Sequence, residues 1–359
     1  MSGINLGSGL RQLCYNDHME QTQIIVDNNI SPTGLRAAAD ELGCLVVDLQ
    51  IKSVSGGYSR NRRSLVGFGD RWIFVKEVDH DLLTSYGAEE LGWLNKDCEC
   101  VNHLITSVPE LVPEWEKIVA DGHVLLMPSY QESDGWQWQF PSNFDEQRQY
   151  IQAVVDATKK LESVKFDQDA IDNLKLHPYF RDKLAIDDGL KLIIENAEIR
   201  NQLIEKYAAM AQDDSLIGLR DAIHKMQDLL TDKKALIDLS NRASALINQP
   251  NDCFGHCDVR SDNIAYNSST GQIKFVDWNW ASYISSGFGA TEFLVDMARR
   301  GVDVSPGVGD LNIELLAAVV GFYTKRCLQD PLAPGNTLRD VQAQSAAVAL
   351  SMYNMAVNR

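Results

Sequence analysis

No apolar run in this 359-residue chain is long enough to span a bilayer, so a membrane protein is not expected. Positive charge is scarce. There are 33 Lys and Arg against 50 Asp and Glu, and the net charge is -17. That argues against general nucleic-acid binding, which needs a basic footprint. The acidity suits solubility and would draw cationic ligands, although many acidic enzymes have no such partner. Paired cysteines are scarce too. The seven are scattered, and only Cys98-Glu99-Cys100 lie close together. With His103 as the one nearby histidine, that pair is weak support for a metal, so free thiols in a reducing compartment are expected. Met1-Ser2-Gly3-Ile4-Asn5 has no basic stretch ahead of an apolar one, so a cytoplasmic location without a secretory leader is expected. The chain also lacks a G-x-x-x-x-G-K-[ST] loop, an internal repeat and a low-complexity segment.

What is present is an ordinary globular composition, 45% hydrophobic and 23% charged, in a chain long enough for two lobes. The richest stretch is residues 256–281, HCDVRSDNIAYNSSTGQIKFVDWNWA. Ile264-Ala265-Tyr266 and Ile273-Lys274-Phe275-Val276 read as two strands, and Asn267 to Gly271 as the turn between them. Asp258 and Asn263 precede the first strand and Asp277 follows the second. A hairpin brings its open ends together, so these three side chains should meet. Two carboxylates and an amide make a hard anionic site suited to magnesium with phosphate oxygens.

This stretch resembles the catalytic core of the aminoglycoside phosphotransferase and choline kinase group, small-molecule relatives of protein kinases. Residues 256–263, HCDVRSDN, match the group's H-x-D-x-x-x-x-N loop, with Cys257 in place of the usual Gly. Val276-Asp277-Trp278 stands where the group carries its metal-binding Asp, usually followed by Trp. The resemblance implies that Asp258 is the catalytic base that orients an acceptor hydroxyl. It implies that Asn263 and Asp277 hold Mg2+ on the nucleotide. His256 is read as a structural hydrogen-bonding residue. Arg260 has two readings that the sequence leaves open: charge stabilisation at the γ-phosphoryl group, or an ion pair with Asp262.

Upstream, Ser31-Pro32 reads as a helix start, Leu35, Ala38, Ala39 and Leu42 as its stripe, and Gly43 as its end. Residues 45–51 read as a strand. Gly56-Gly57 lies between strands, where backbone can approach a ligand closely. The group places a loop of this kind over the nucleotide phosphates, which implies phosphate contacts for Gly56, Gly57, Ser59 and Asn61. By the same resemblance Lys76, at the end of the strand Trp72 to Lys76, contacts the α- and β-phosphates. It pairs with a Glu in the helix about residues 82–96, Glu89 or else Glu90. Met127 and Ser129 border the base at the interlobe linker.

From Asn143 the pattern turns helical, beginning with Ile151, Val154, Val155, Thr158, Leu161 and Val164. Further helices are expected near residues 182–211, 216–230, 236–247, 312–328 and 338–356. The expected fold is α+β, bilobal and protein-kinase-like. A five-stranded antiparallel nucleotide lobe (31–128) follows an irregular extension (1–30), and a mostly helical lobe (129–359) carries the catalytic loop. The expected activity is transfer of the γ-phosphate of ATP, with GTP as the alternative donor, to a small-molecule hydroxyl. An amine-bearing, aminoglycoside-like acceptor comes first. Choline, a sugar, a macrolide or homoserine are alternatives, as is a nucleotide-binding regulator without turnover. Oligomeric state is left open.

Overall fold

The computed structural model describes residues 30–54, 61–78, 87–174, 176, 184, 189–330 and 337–358. Gly56, Gly57 and Ser59 lie outside the described residues. The first helix, α1 (Pro32–Leu42), starts where the sequence places it. Ser31 Oγ accepts the N–H groups of Thr33 and Gly34, and Gly43 closes the helix at φ 72°.

The strand expected over 45–51 is not formed as such. Val46–Asp48 is a single 3-10 turn, and β1 is Gln50–Ser53. The partner decides this. Gln50 pairs with Gly67 near the end of β2 (Arg62–Phe68), so residues before Gln50 run past the hairpin and find no strand to pair with. Leu45 and Val47 are accordingly 69% and 66% exposed. β3 (Arg71–Glu77), β4 (Lys117–Val119) and β5 (Val124–Pro128) complete a five-stranded antiparallel sheet of order β1-β2-β3-β5-β4.

Alternation along β3 settles what faces the site. Ile73 and Val75 join Val66, Leu126, Ala38 and Leu42 in a small core under α1. Phe74 and Val78 face the other way, into a core with Leu94, Cys98, Leu125, Met127 and Ala265. Lys76 falls on that second face. The helix covering it is α2 (Gly87–Leu104), which continues past the expected end at Lys96.

The second lobe begins with a short strand, β6 (Trp136–Gln137), and α3 (Phe144–Glu162), whose Tyr150, Ile151, Val154, Val155 and Leu161 are buried. Among the described residues, five further helices precede residues 256–281: α4 (Gln168–Asn173), α5 (Gly189–Glu195), α6 (Ala197–Ala211), α7 (Arg220–Thr231) and α8 (Lys233–Ser244). Of the helical stretch expected over 182–211, residues 182–183 and 185–188 lie outside the described residues, and the rest is two helices parted at Asn196, whose side chain caps α6. β7 (Cys253–Gly255) leads into the catalytic loop and pairs with β10 (Ser282–Ile284). Between them lies the hairpin of β8 (Ile264–Asn267) and β9 (Gln272–Phe275). α9 (Phe288–Arg299), α10 (Ile313–Arg326) and α11 (Leu338–Val357) close the lobe.

The hairpin is fastened to the segment that follows α2. The buried Lys274 donates to the carbonyls of Pro109 and Val112 at 2.9 and 2.7 Å and pairs with Glu114 at 3.0 Å. Glu114 also accepts the Tyr130 hydroxyl at 2.8 Å, just beyond β5. One buried cation thus ties this hairpin to the segment before β4 and, through Glu114, to the segment after β5.

Candidate active site

The hairpin register pairs Ile264 with Phe275, which leaves Asn263 and Val276 opposite each other at its mouth. Val276 N–H donates to Asn263 C=O at 3.1 Å. Asn263 Nδ2 donates to Asp258 twice, to its C=O and to Oδ2, each at 3.0 Å. Asp277 follows directly, and its Oδ1 accepts from Lys76 Nζ at 2.8 Å. Asp258, Asn263, Asp277 and Lys76 are therefore brought together.

Two residues here hold the left-handed backbone that favours glycine: Cys257 at φ 61° and Asp277 at φ 69°. The first explains why a Gly suits the position of Cys257. The buried imidazole of His256 shares a 2.9 Å hydrogen bond between Nε2 and the Val276 carbonyl, next to Asp277. A carbonyl only accepts, so Nε2 carries the proton. Burial pushes the His256 pKa down to about 4, so the ring is neutral near pH 7. This is a brace rather than a proton carrier.

Burial pushes Asp258 up to about 6, against the opposing pull of Arg260. Asp277 goes the other way. Burial raises it, but the Lys76 ammonium outweighs that and holds it below the usual carboxylate range. One carboxylate is thus tuned toward accepting a proton and the other toward remaining charged.

Arg260 forms the ion pair that was one of its two readings. Nε and Nη2 bind Asp262 at 3.0 and 3.1 Å, and Nη1 reaches Asp258 Oδ1 at 2.7 Å. Asp296, on α9, holds the same loop from behind by accepting Ser261 N–H and Oγ–H at 3.1 and 3.0 Å. Its charge is met by Arg299 and Arg300. Trp278 is fully buried, with Nε1 on the Phe275 carbonyl.

The sequence reading missed Asp97. This buried α2 residue takes Lys76 Nζ on Oδ2 at 3.4 Å and the Trp278 N–H on Oδ1 at 2.7 Å. Asp97 is the helix carboxylate at Lys76 among the described residues. Glu89 lies in α2, but its side chain falls outside the description. A signal was available: Leu94, Cys98 and Val101 form the buried stripe of α2, and Asp97 sits among them as a charged residue at an apolar position.

The remaining candidates lie around the sheet. Asn61 is buried at the entrance to β2, and its Oδ1 has no hydrogen-bond partner among the described residues. Met127 is buried at the end of β5, and Ser129 Oγ donates to the Trp72 carbonyl at 3.1 Å.

The donor set fits magnesium. Among the described residues no three His, Cys, Asp or Glu side chains form a metal cage. Mg2+ needs none, because it keeps waters and phosphate oxygens and takes one or two protein oxygens. Asp277 supplies a charged carboxylate. Asn263 has its NH2 turned to Asp258, which leaves the amide oxygen as the atom it could offer a cation.

Comparison with known proteins agrees with this architecture. The model of one family, choline/ethanolamine kinase, matches residues 194–309. No curated protein matches the chain. Among solved structures, an ethanolamine kinase of Plasmodium vivax is 12% identical over 92% of this chain and 91% of its own, with a TM-score of 0.51. A spectinomycin phosphotransferase, solved with ADP and spectinomycin, is 12% identical over 87% of this chain and 93% of its own (TM-score 0.48). A choline kinase from Streptococcus pneumoniae is 12% identical over 88% and 98% (TM-score 0.44). The fold is that of the protein-kinase-like phosphotransferases. The chain resembles the choline and ethanolamine kinases and the aminoglycoside phosphotransferases, as its catalytic segment suggested.

Proposed function

We propose that the chain is a small-molecule kinase, transferring the γ-phosphate of ATP, or of GTP, to a hydroxyl of its acceptor. The observation that carries this is the meeting of Lys76, Asp258, Asn263 and Asp277 at the mouth of one hairpin. Lys76, with the loop of Gly56, Gly57, Ser59 and Asn61, binds the nucleotide phosphates. Met127 and Ser129 line the base. Asn263 and Asp277 hold Mg2+, which when bound neutralises charge on the phosphates. Asp258 accepts a hydrogen bond from the acceptor hydroxyl, aligns its oxygen with the γ-phosphorus and takes its proton as the new P–O bond forms and the bond to the leaving diphosphate breaks. Arg260 steadies Asp258 and lies close enough to it to meet charge on the transferring group.

On this reading residues 31–128 form the nucleotide lobe and 129–359 the lobe that receives the acceptor. The acceptor proposed first is a hydroxylated amine. The acidic chain favours a cation, and the match to choline/ethanolamine kinase over 194–309 favours a small amino alcohol beside the aminoglycoside-like reading. The test is magnesium-dependent nucleotide consumption with amino alcohols, aminoglycosides, macrolides and sugars as acceptors. Stimulation by one class supports the reading and names the acceptor. Nucleotide binding with no stimulation by any acceptor would favour a regulator.

A further inference from the structure

Glu116 is only 6% exposed, and neither of its carboxyl oxygens has a hydrogen-bond partner among the described residues. It stands one residue before β4, in which Ile118 pairs with Leu125, and Leu125 pairs on its other side with Lys76. Side chains two residues apart share a face. Glu116 therefore lies on the face of Ile118 and Lys76, beneath Leu94 and Cys98 of α2. There it feels the charges of Asp97, Lys76 and Asp277.

A buried carboxyl without partners is strongly disfavoured. Burial and the neighbouring Asp97 push its pKa well above the usual range. The neutral acid has one O–H to donate, and the Asp97 carboxylate is the neighbouring charge that acts on it most strongly. Lys76 needs such support. Its shorter contact, at 2.8 Å, is with Asp277, and the longer, at 3.4 Å, is with Asp97. Were Asp277 to hold a metal ion, Asp97 would be the remaining carboxylate on the ammonium among the described residues.

We infer that Glu116 is a positioning residue of the nucleotide site, backing Asp97 from β4 so that the Lys76–Asp97 pair stays fixed when Asp277 turns to the metal. This rests on the reading of Lys76 as a nucleotide ligand. Steady-state kinetics and magnesium-nucleotide binding of the full chain test it in Glu116→Gln, which keeps a donor and the shape, and Glu116→Met, which fills the space without a donor. Glu116→Ala replaces the Met variant if that one does not fold. The expected result is a nucleotide KM about tenfold higher in Glu116→Met, equivalent to about 1.4 kcal/mol, with acceptor KM unchanged and kcat less affected. Glu116→Gln should stay within about threefold of the parent, a loss of under 1 kcal/mol. Parent-like nucleotide KM in Glu116→Met, or equal loss in both variants, would overturn the inference. Lys76→Met run alongside separates the two failures. If it binds nucleotide normally, the reading of the site fails and this inference with it. If it loses binding while the Glu116 variants do not, this inference alone fails.

Discussion

Lys76 Nζ lies 2.8 Å from Asp277 Oδ1, although the two residues are 201 positions apart in the chain. One comes from the sheet and the other from the catalytic hairpin, so the bond joins the two lobes across the place assigned to the nucleotide phosphates. Its charge also keeps Asp277 ionised. Lys76→Met should therefore weaken magnesium-nucleotide binding at least about tenfold, a loss of about 1.4 kcal/mol or more. Isothermal titration measures this directly, and unchanged affinity would remove Lys76 from the site.

As the proposed base, Asp258 must be charged to accept a proton, and its pKa is raised by burial to about 6. Activity as kcat/KM should then rise with pH through a limb near 6 and level off above it. Arg260 opposes that rise, so Arg260→Gln should move the limb to higher pH while slowing turnover. A limb that stays in place in the variant would show that Arg260 does not act on Asp258.

His256 titrates near 4 in the folded chain against an ordinary value of 6.5, because burial disfavours its charged form. Between those values the unfolded chain binds the extra proton. Stability should thus be full above about pH 6.5 and fall as the pH drops toward 4. His256→Ala should remove this part of the acid sensitivity. It should also cost about 1–3 kcal/mol at neutral pH, through the lost bond to the Val276 carbonyl. Denaturant unfolding at pH 7 and pH 5 compares the two. A variant with the parent's acid sensitivity would contradict the assignment.

Cys257 occupies the left-handed region at φ 61° while buried. Glycine adopts that backbone without strain, and a β-branched residue does so poorly. Cys257→Gly should remain active and stay within about 1 kcal/mol of the parent. Cys257→Val should lose about 2 kcal/mol or more. Thermal melts of the two variants read this, and equal stability would show that the backbone there relaxes.

Three residues of the candidate site were legible as a group because they are close in sequence. Asp258 and Asn263 precede the first strand of one hairpin and Asp277 follows the second, so the hairpin pattern alone groups these three, whereas Lys76 was singled out by the resemblance and meets Asp277 only through the packing of the sheet against the hairpin. The partner of Lys76 was not legible in the same way. Asp97 meets it only through the packing of α2 on the sheet, and helical periodicity alone did not choose among the carboxylates of that helix. Glu116 was hidden for a similar reason, since it stands one residue before the short strand β4 and no local pattern marks its burial. The failed strand over 45–51 shows the reverse error. Its β-branched run is apolar enough, but pairing stops where β2 ends. Within the helical stretch expected over 182–211, the boundary between two helices falls at Asn196, a residue suited to capping.

The most direct measurement is acceptor-stimulated, magnesium-dependent phosphotransfer by the parent chain and by Asp258→Ala under the same conditions. The account predicts a stimulated rate in the parent and a fall of about 10²–10⁴-fold in the variant, with magnesium-nucleotide binding retained. Full phosphotransfer by Asp258→Ala would contradict it.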